Sequence, residues 1–206
     1  MCTYYEVPGR EQLVLHFGDV PEEEWRDKMS PLYRGPFLRA QGETGRELVV
    51  GQWGMIPPHS TTHIPTGKDG KRLSTFNARR EGMAKSWTFG GPWRKGQRCI
   101  IPAQLYVEPY WGTKKHIPWQ FERADGEPWG LAGLWNTWVD PSTGELVESY
   151  TMLTLNADAH PLMRRMHKPD PKRAPHLQDK RSVVPIEVHD VDTWLHAPQA
   201  EAGQLV

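Results

Sequence analysis

Alternating apolar and polar positions dominate this chain, and only a few stretches carry helical spacing. Residues 47–53 (ELVVGQW) read as a strand that runs into the turn-like exit Gly54-Met55-Ile56-Pro57. Residues 98–111 (RCIIPAQLYVEPYW) read as strands interrupted at Pro102, with Glu108 kept extended by the proline that follows it. Residues 119–123, 129–138 and 147–155 are further strands, separated by turns at 124–126 and 140–144. Residues 3–9 form a short extended arm broken at Pro8-Gly9. Helical spacing of Leu13, Val14 and Phe17 predicts a helix over 10–17. Pro21 followed by Glu22, Glu23 and Glu24 resembles the first turn of another. Asn77 fits a helix N-cap with the helix starting at Ala78. Residues 158–166 and 187–195 complete the helices, and 182–186 form a short buried strand. Residues 59–70 and 168–181 read as loops. No repeat, low-complexity tract or linker divides the chain, which predicts one domain over 1–206.

Composition sharpens the fold class. Ten tryptophans, 19 glycines and 19 prolines call for many short elements joined by turns rather than a helical bundle. The expected class is therefore α+β, a single β-rich mixed domain. Charge sets limits on partners. With 25 basic and 25 acidic residues no overall field steers the chain to a polyanion, so such a partner requires a local patch. One candidate lies between 78 and 98, where Arg79, Arg80, Lys85, Arg94, Lys95 and Arg98 face a single acid, Glu81, and Trp87, Phe89 and Trp93 are interleaved. Cations for phosphates and rings for bases are what a single-stranded nucleic-acid groove uses. A solvated helix beside core aromatics explains the same stretch equally well. No apolar run approaches the ~18 residues of a membrane span, and no signal segment is evident, so a soluble, cytoplasmic protein is expected.

Candidate chemistry starts at Met1-Cys2. Once the initiator methionine is trimmed, Cys2 carries a thiol and a free α-amine on adjacent carbons. The amine condenses with an aldehyde to an imine, and the thiol closes on it as a thiazolidine. Ordinary pKa values of ~8.5 for the thiol and ~7.7–8.0 for the amine keep both reactive forms accessible near neutrality. The same thiol also suits acyl transfer. Position 2 is, equally, often just a tail. Strand alternation places Tyr106, Glu108 and Tyr110 on one face, and a carboxylate among aromatics suits general acid–base work. An ordinary strand-end acid fits too. His167, just after the helix expected over 158–166, is either a charged imidazole at the negative helix end or a simple cap. Trp53 reads as core, and Cys99, beside Ile100 and Ile101, as a small buried hydrophobe. Two cysteines make no disulfide framework and no CxxC pair binds zinc.

The order of these segments is specific. Met1-Cys2, Trp53-Gly54-Met55-Ile56-Pro57, Asn77-Ala78-Arg79, Cys99 through Glu108, Ala132-Gly-Leu-Trp135, Thr151 through Thr154 and Met166-His167 together resemble the SOS-response-associated peptidase (SRAP) family, also called abasic-site processing proteins. The likeness runs from residue 1 to about 186. It implies a domain of barrel-like sheets flanked by short helices, with a positively charged groove for single-stranded DNA. It implies covalent capture of abasic sites as a thiazolidine crosslink, by a monomer that needs no metal and no diffusible cofactor. Carried onto this chain, Cys2 is the crosslinking nucleophile, Asn77 orients the α-amine, Glu108 shuttles protons and His167 is the general acid/base on the opening sugar. Arg79 contacts a phosphate and Thr154 lines the pocket, with Trp53, Tyr4 and Arg80 on the DNA side. Autoproteolytic removal of Met1 is implied by the same likeness. Two departures stand out. Thr3 and Tyr4 replace the usual Gly-Arg after the cysteine, which removes one phosphate contact and offers Tyr4 as a stacking ring. After His167 the chain continues Lys168-Pro169-Asp170 and inserts roughly a dozen residues of loop. That insertion brings His176 as a reserve for His167, and Lys168, Lys172, Arg173, Lys180 and Arg181 as a basic wall. A thiol hydrolase using Cys2 and a non-enzymatic nucleic-acid binder are the competing functions.

Overall fold

The structure is a computed structural model that describes residues 2–206. Its strands in chain order are β1 (Tyr5–Glu6), β2 (Lys28–Met29), β3 (Arg34–Gln41), β4 (Gly45–Trp53), β5 (Asn77–Arg79) and β6 (Arg98–Ala103). They continue with β7 (Leu105–Tyr110), β8 (Ile117–Phe121), β9 (Trp129–Val139), β10 (Leu146–Asn156), β11 (Arg181–Val183) and β12 (Pro185–Ile186). Five short helices accompany them: α1 (Arg10–Phe17), α2 (Arg80–Met83), α3 (Gly90–Arg94), α4 (Val191–His196) and α5 (Gln199–Ala202).

Five strands close on themselves. Strand β4 pairs with β3, β3 with β6, β6 with β9, β9 with β10, and β10 returns to β4 in parallel through Ser149↔Gln52 and Tyr150↔Trp53. Closure removes sheet edges and leaves an interior that side chains fill. Phe37, Leu38, Ile100, Leu131, Leu134, Tyr150 and Met152 are fully buried members of one apolar cluster that also takes in Cys2 of the amino-terminal arm and Tyr5 and Tyr106 of the second sheet. That sheet has the order β2-β1-β7-β8. The chain passes between the sheets at Gln104, whose N–H reaches Glu6 O at 2.7 Å.

One edge of β10 positions the site. Strand β4 holds it only as far as Tyr150 and then leaves at Gly54, a φ of 136° that suits glycine. Strand β5 takes over the same edge in parallel, Met152 opposite Asn77 and Thr154 opposite Arg79. A sheet slot vacated by one segment is thus filled by another that carries polar side chains.

Most strands and the first helix fall where the alternation predicts, but the barrel strand β3 is not among the predicted elements, and several expected elements differ. The helix expected from Pro21 is absent: Arg10 donates to Pro21 O (3.1 Å) and Glu23 O (3.2 Å), carbonyls a first turn would use, and stacks on Trp25. Pro102 does not interrupt its strand, because β3 pairs β6 only at Cys99 and Ile100 and the edge beyond lacks a partner that needs an N–H. Residues 158–166 form only a 3₁₀ turn, Met163–Arg165. There Asp158 accepts the N–H groups of Asp179 and Lys180, and His160 Nδ1 accepts those of Leu162 and Met163. The closing helix is split into a 3₁₀ turn, Val188–Asp190, and α4.

Arg98 is structural rather than part of a cationic face. Its guanidinium is buried at 3% exposure and donates to the carbonyls of Trp194, Leu195 and Ala197, closing the otherwise unpaired end of α4. Arg98→Met keeps the volume and removes every donor, and is expected to cost about 3 kcal/mol in urea unfolding. A loss within experimental error would show that water reaches those carbonyls.

Candidate functional site

Three separate segments bring polar groups to Cys2. The amino-terminal arm lies beside β7, with Val107 N–H on Tyr4 O at 3.1 Å, and this places Cys2 fully out of solvent. Its Sγ donates to Tyr4 O at 3.3 Å, and its carbonyl accepts Asn77 Nδ2 at 2.7 Å. Asn77 therefore does not cap a helix. It opens β5, and the helix begins three residues later at Arg80. Its Oδ1 is buried and has no hydrogen-bond partner among the described residues. A buried acceptor of that kind costs free energy unless something donates to it. Trp53 acts through this contact: it is fully buried, its indole N–H holds Phe76 O at 2.9 Å, and its ring meets Tyr5 and Phe76 edge-on. It lies in the core and holds the carbonyl of the residue that precedes Asn77.

Glu108 and His167 form the opposite wall. Glu108 is 1% exposed and sits 2.8 Å from His167 Nε2. The histidine is no helix cap. It holds a left-handed φ of 57°, fixed by its N–H on Pro109 O (2.6 Å) and by Lys180 Nζ on its own carbonyl (2.6 Å). Left-handed backbone costs a non-glycine residue about 1–2 kcal/mol and persists where the surroundings enforce it. His176 lies exposed on the 168–181 loop, so the structure puts His167, not the reserve histidine, against Glu108. Burial pushes the Cys2 thiol far above its ordinary range, and the negative charge of Glu108 adds to the effect. A thiol in this position carries its proton at neutral pH and needs a base at the moment it reacts.

The expected basic surface is differently built. Arg79, half exposed, is bound by Asp179 at 2.7 Å. Arg80 donates to Gly203 O and Arg94 to Ala84 O. Trp93 is buried against Trp194, whereas Trp87 is 78% exposed beside His59. Within the inserted loop, Lys180 and Arg181 are buried, the latter bonded to Glu81, Asp179 and Thr154 O. They hold the site together and do not form a wall. Thr154 is buried, with its hydroxyl on Ala78 O and near the Arg181 guanidinium. Tyr4 is part-exposed and bonded to Glu6 at 2.5 Å, and burial together with that carboxylate pushes its phenol up to about 12. A cleft lined by Ser74, Asn77, Arg79, Met83, Ser86 and Phe89 opens from Asn77 to the surface. Among the described residues no group of three or more His, Cys, Asp or Glu is placed to hold a metal ion, and no helix is long and apolar enough to cross a membrane.

The model of the family described as SOS response associated peptidase (SRAP) matches residues 1–206. The chain belongs to the SRAP family. Curated relatives of this SRAP chain include the abasic site processing protein HMCES of Gallus gallus, 26% identical over 189 residues, and that of Pongo abelii, 24% identical over 199. The matches cover 76% of the chain in both cases, and 53% and 52% of the relatives. The chain thus spans about half the length of the curated relatives it matches. A crystal structure of a protein from Bordetella bronchiseptica is 38% identical, with a TM-score of 0.84 over 98% of this chain and 92% of that one. One from Bacteroides thetaiotaomicron, 19% identical, shares the fold at a TM-score of 0.75 over 99% and 86%.

Asp179 and Lys180 are the site residues that the SRAP likeness and the residue pattern did not single out for these contacts. They sit in a proline-punctuated loop whose local composition signals only charge. Their partners, Arg79 and the His167 carbonyl, become neighbours through the pairing of β11 with β10.

Proposed function

We propose that this chain captures abasic sites in single-stranded DNA through Cys2, as a thiazolidine crosslink. The observation that carries the reading is the Asn77 amide: its Nδ2 holds the Cys2 carbonyl while its buried Oδ1 has no hydrogen-bond partner among the described residues. A free α-amine on Cys2 would give that oxygen a donor. The names of the curated relatives, abasic site processing proteins, supply the substrate class.

Removal of Met1, which lies outside the described residues, exposes the amine. The amine nitrogen adds to the aldehyde carbon of the ring-opened sugar, and the resulting carbinolamine loses water to give an imine. Sγ then bonds to the imine carbon, and its proton is passed on while the nitrogen takes one up. The sum is protein plus aldehyde giving a five-membered ring and one water. Glu108 receives and returns protons beside Sγ, and His167, 2.8 Å from it, serves the sugar oxygen as the furanose opens. Arg79 binds the neighbouring phosphate once it releases Asp179.

Intact mass tests this directly. After incubation with a single-stranded oligonucleotide bearing one abasic site, the expected product is protein without Met1, plus oligonucleotide, minus one water, stable without reductant. A trimmed protein that gives no adduct would move the reading to a thiol hydrolase. Retained Met1 with reversible binding only would leave a nucleic-acid-binding module.

A further inference from the structure

We propose that the tip of the β7–β8 hairpin, with Lys168, is a contact surface for the single strand on the His167 side of the captured sugar. This deepens the reading above and rests on it. Strand β7 carries Glu108 inward and, three residues on, delivers Trp111 to the tip. The tip is tied to the segment that bears His167: Trp111 N–H bonds Arg165 O at 2.9 Å, Tyr110 bridges Met166, and His167 N–H bonds Pro109 O. A strand held at the tip is therefore held relative to the chemistry.

The surface has the two components a single strand requires. Rings come first: Trp111 lies nearly parallel to His116 (8° between planes, centroids 6.5 Å apart), and the exposed Trp119 is backed by the buried Tyr110, stacked on it at 4.2 Å. Lys168 Nζ sits 5.9 Å from the Trp111 ring centre and the Arg165 guanidinium 5.2 Å from that of Tyr110. Cations come second: Lys114, Lys115, Arg164, Arg165 and Lys168 are exposed, and none forms an ion pair among the described residues. In the 79–98 stretch Arg98 is internal, Arg80 and Arg94 each donate to a backbone carbonyl, and Arg79 is paired with Asp179 until a phosphate replaces it. An acidic protein face would be served by cations alone. Parallel rings interleaved with them favour bases and phosphates.

The turn itself is tightly specified. Lys114 N–H closes on Trp111 O at 3.0 Å, and a Cβ at Gly112 would collide with the Tyr110 ring. Lys114 holds a left-handed φ of 64°, where glycine would be relaxed. That makes Lys114→Gly a useful variant, since it removes the charge without straining the fold.

The test compares wild type with Lys114→Gly/Lys115→Gln/Lys168→Gln, Trp111→Ala and Trp111→Phe. Binding to undamaged and abasic single strands is measured across roughly 50–200 mM salt, using oligonucleotides shortened on one flank of the lesion or the other. Three lost phosphate contacts should flatten the salt slope of the triple variant by about 2, at about 0.7 per contact. Trp111→Ala should weaken binding about tenfold, with Trp111→Phe restoring most of it. Adduct yield at saturating DNA and thermal midpoints should match wild type. Removing one flank, but not the other, should erase the difference between wild type and variants. Unchanged slope and affinity, with wild type still forming the adduct, would overturn this surface alone and leave it to an acidic protein. A wild type that forms no adduct would instead overturn the substrate reading, and this surface with it.

Discussion

Cys2→Ala is expected to eliminate the reductant-stable adduct while its affinity for undamaged single-stranded DNA stays within about twofold of wild type. The two halves follow from different facts. Cys2 is fully buried and presents no surface, so the charge and stacking terms that dominate single-strand binding are untouched. Stability should fall only modestly, by about 1 kcal/mol, since alanine replaces one buried sulfur with a hydrogen and the lost hydrogen bond is a weak S–H bond to Tyr4 O at 3.3 Å. The chemistry divides more finely. Alanine at position 2 still offers an α-amine once Met1 is gone, so the imine can form, but nothing closes the ring. Borohydride should therefore trap an adduct with Cys2→Ala that does not survive without reduction. That outcome would assign the amine to capture and the thiol to permanence. A stable, unreduced adduct with Cys2→Ala would rule out the thiazolidine.

Four of the five barrel strands, β4, β6, β9 and β10, were legible because each alternates or runs apolar over a length that only a strand accounts for; β3, with Gly35-Pro36 near its start, was not. Residues 129–138 and 147–155 are the clearest cases. Helices were the weaker reading, and for a local reason: 158–166 has helical spacing, yet its polar side chains bind other backbone groups, Asp158 reaching to Asp179 and Lys180. Asn77 illustrates the same competition. As an isolated residue it suits a cap, but the sheet slot left beside β10 takes it first and turns its amide toward Cys2. Charge was the least legible quantity. Arg79, Arg98, Lys180 and Arg181 look alike in a sequence, whereas burial and partners make one an ion-paired surface group and three internal struts. The acid that occupies Arg79 lies a hundred residues away, and no spacing rule connects them.

Glu108→Gln sets two effects of opposite sign against each other. Removing the carboxylate charge lowers the Cys2 thiol relative to wild type, because Glu108 is one of the two groups of causes holding it up, and this raises the thiolate fraction at a given pH. Burial, the larger cause, remains, so the thiol stays well above neutrality. Against that modest gain stands the loss of the carboxylate that moves the thiol proton in the proposed mechanism and sits 2.8 Å from His167. Positioned acid–base groups contribute about 10²–10⁴ in rate, so the loss should win. Adduct formation at neutral pH is expected to slow by about 100-fold or more under single-turnover conditions. The pH profile supplies the discriminating sign. With its internal base gone, the variant must give up the thiol proton to solvent hydroxide, and its rate should climb about tenfold per pH unit; wild type should climb far less. The window closes on the alkaline side. Folded Cys2 and Cys99 hold protons that an unfolded chain releases above ~8.5, so native stability falls as pH rises beyond that value, and the comparison belongs between about 6 and 8.5. Parallel profiles for the two proteins would mean that the proton leaves Sγ by a route other than Glu108.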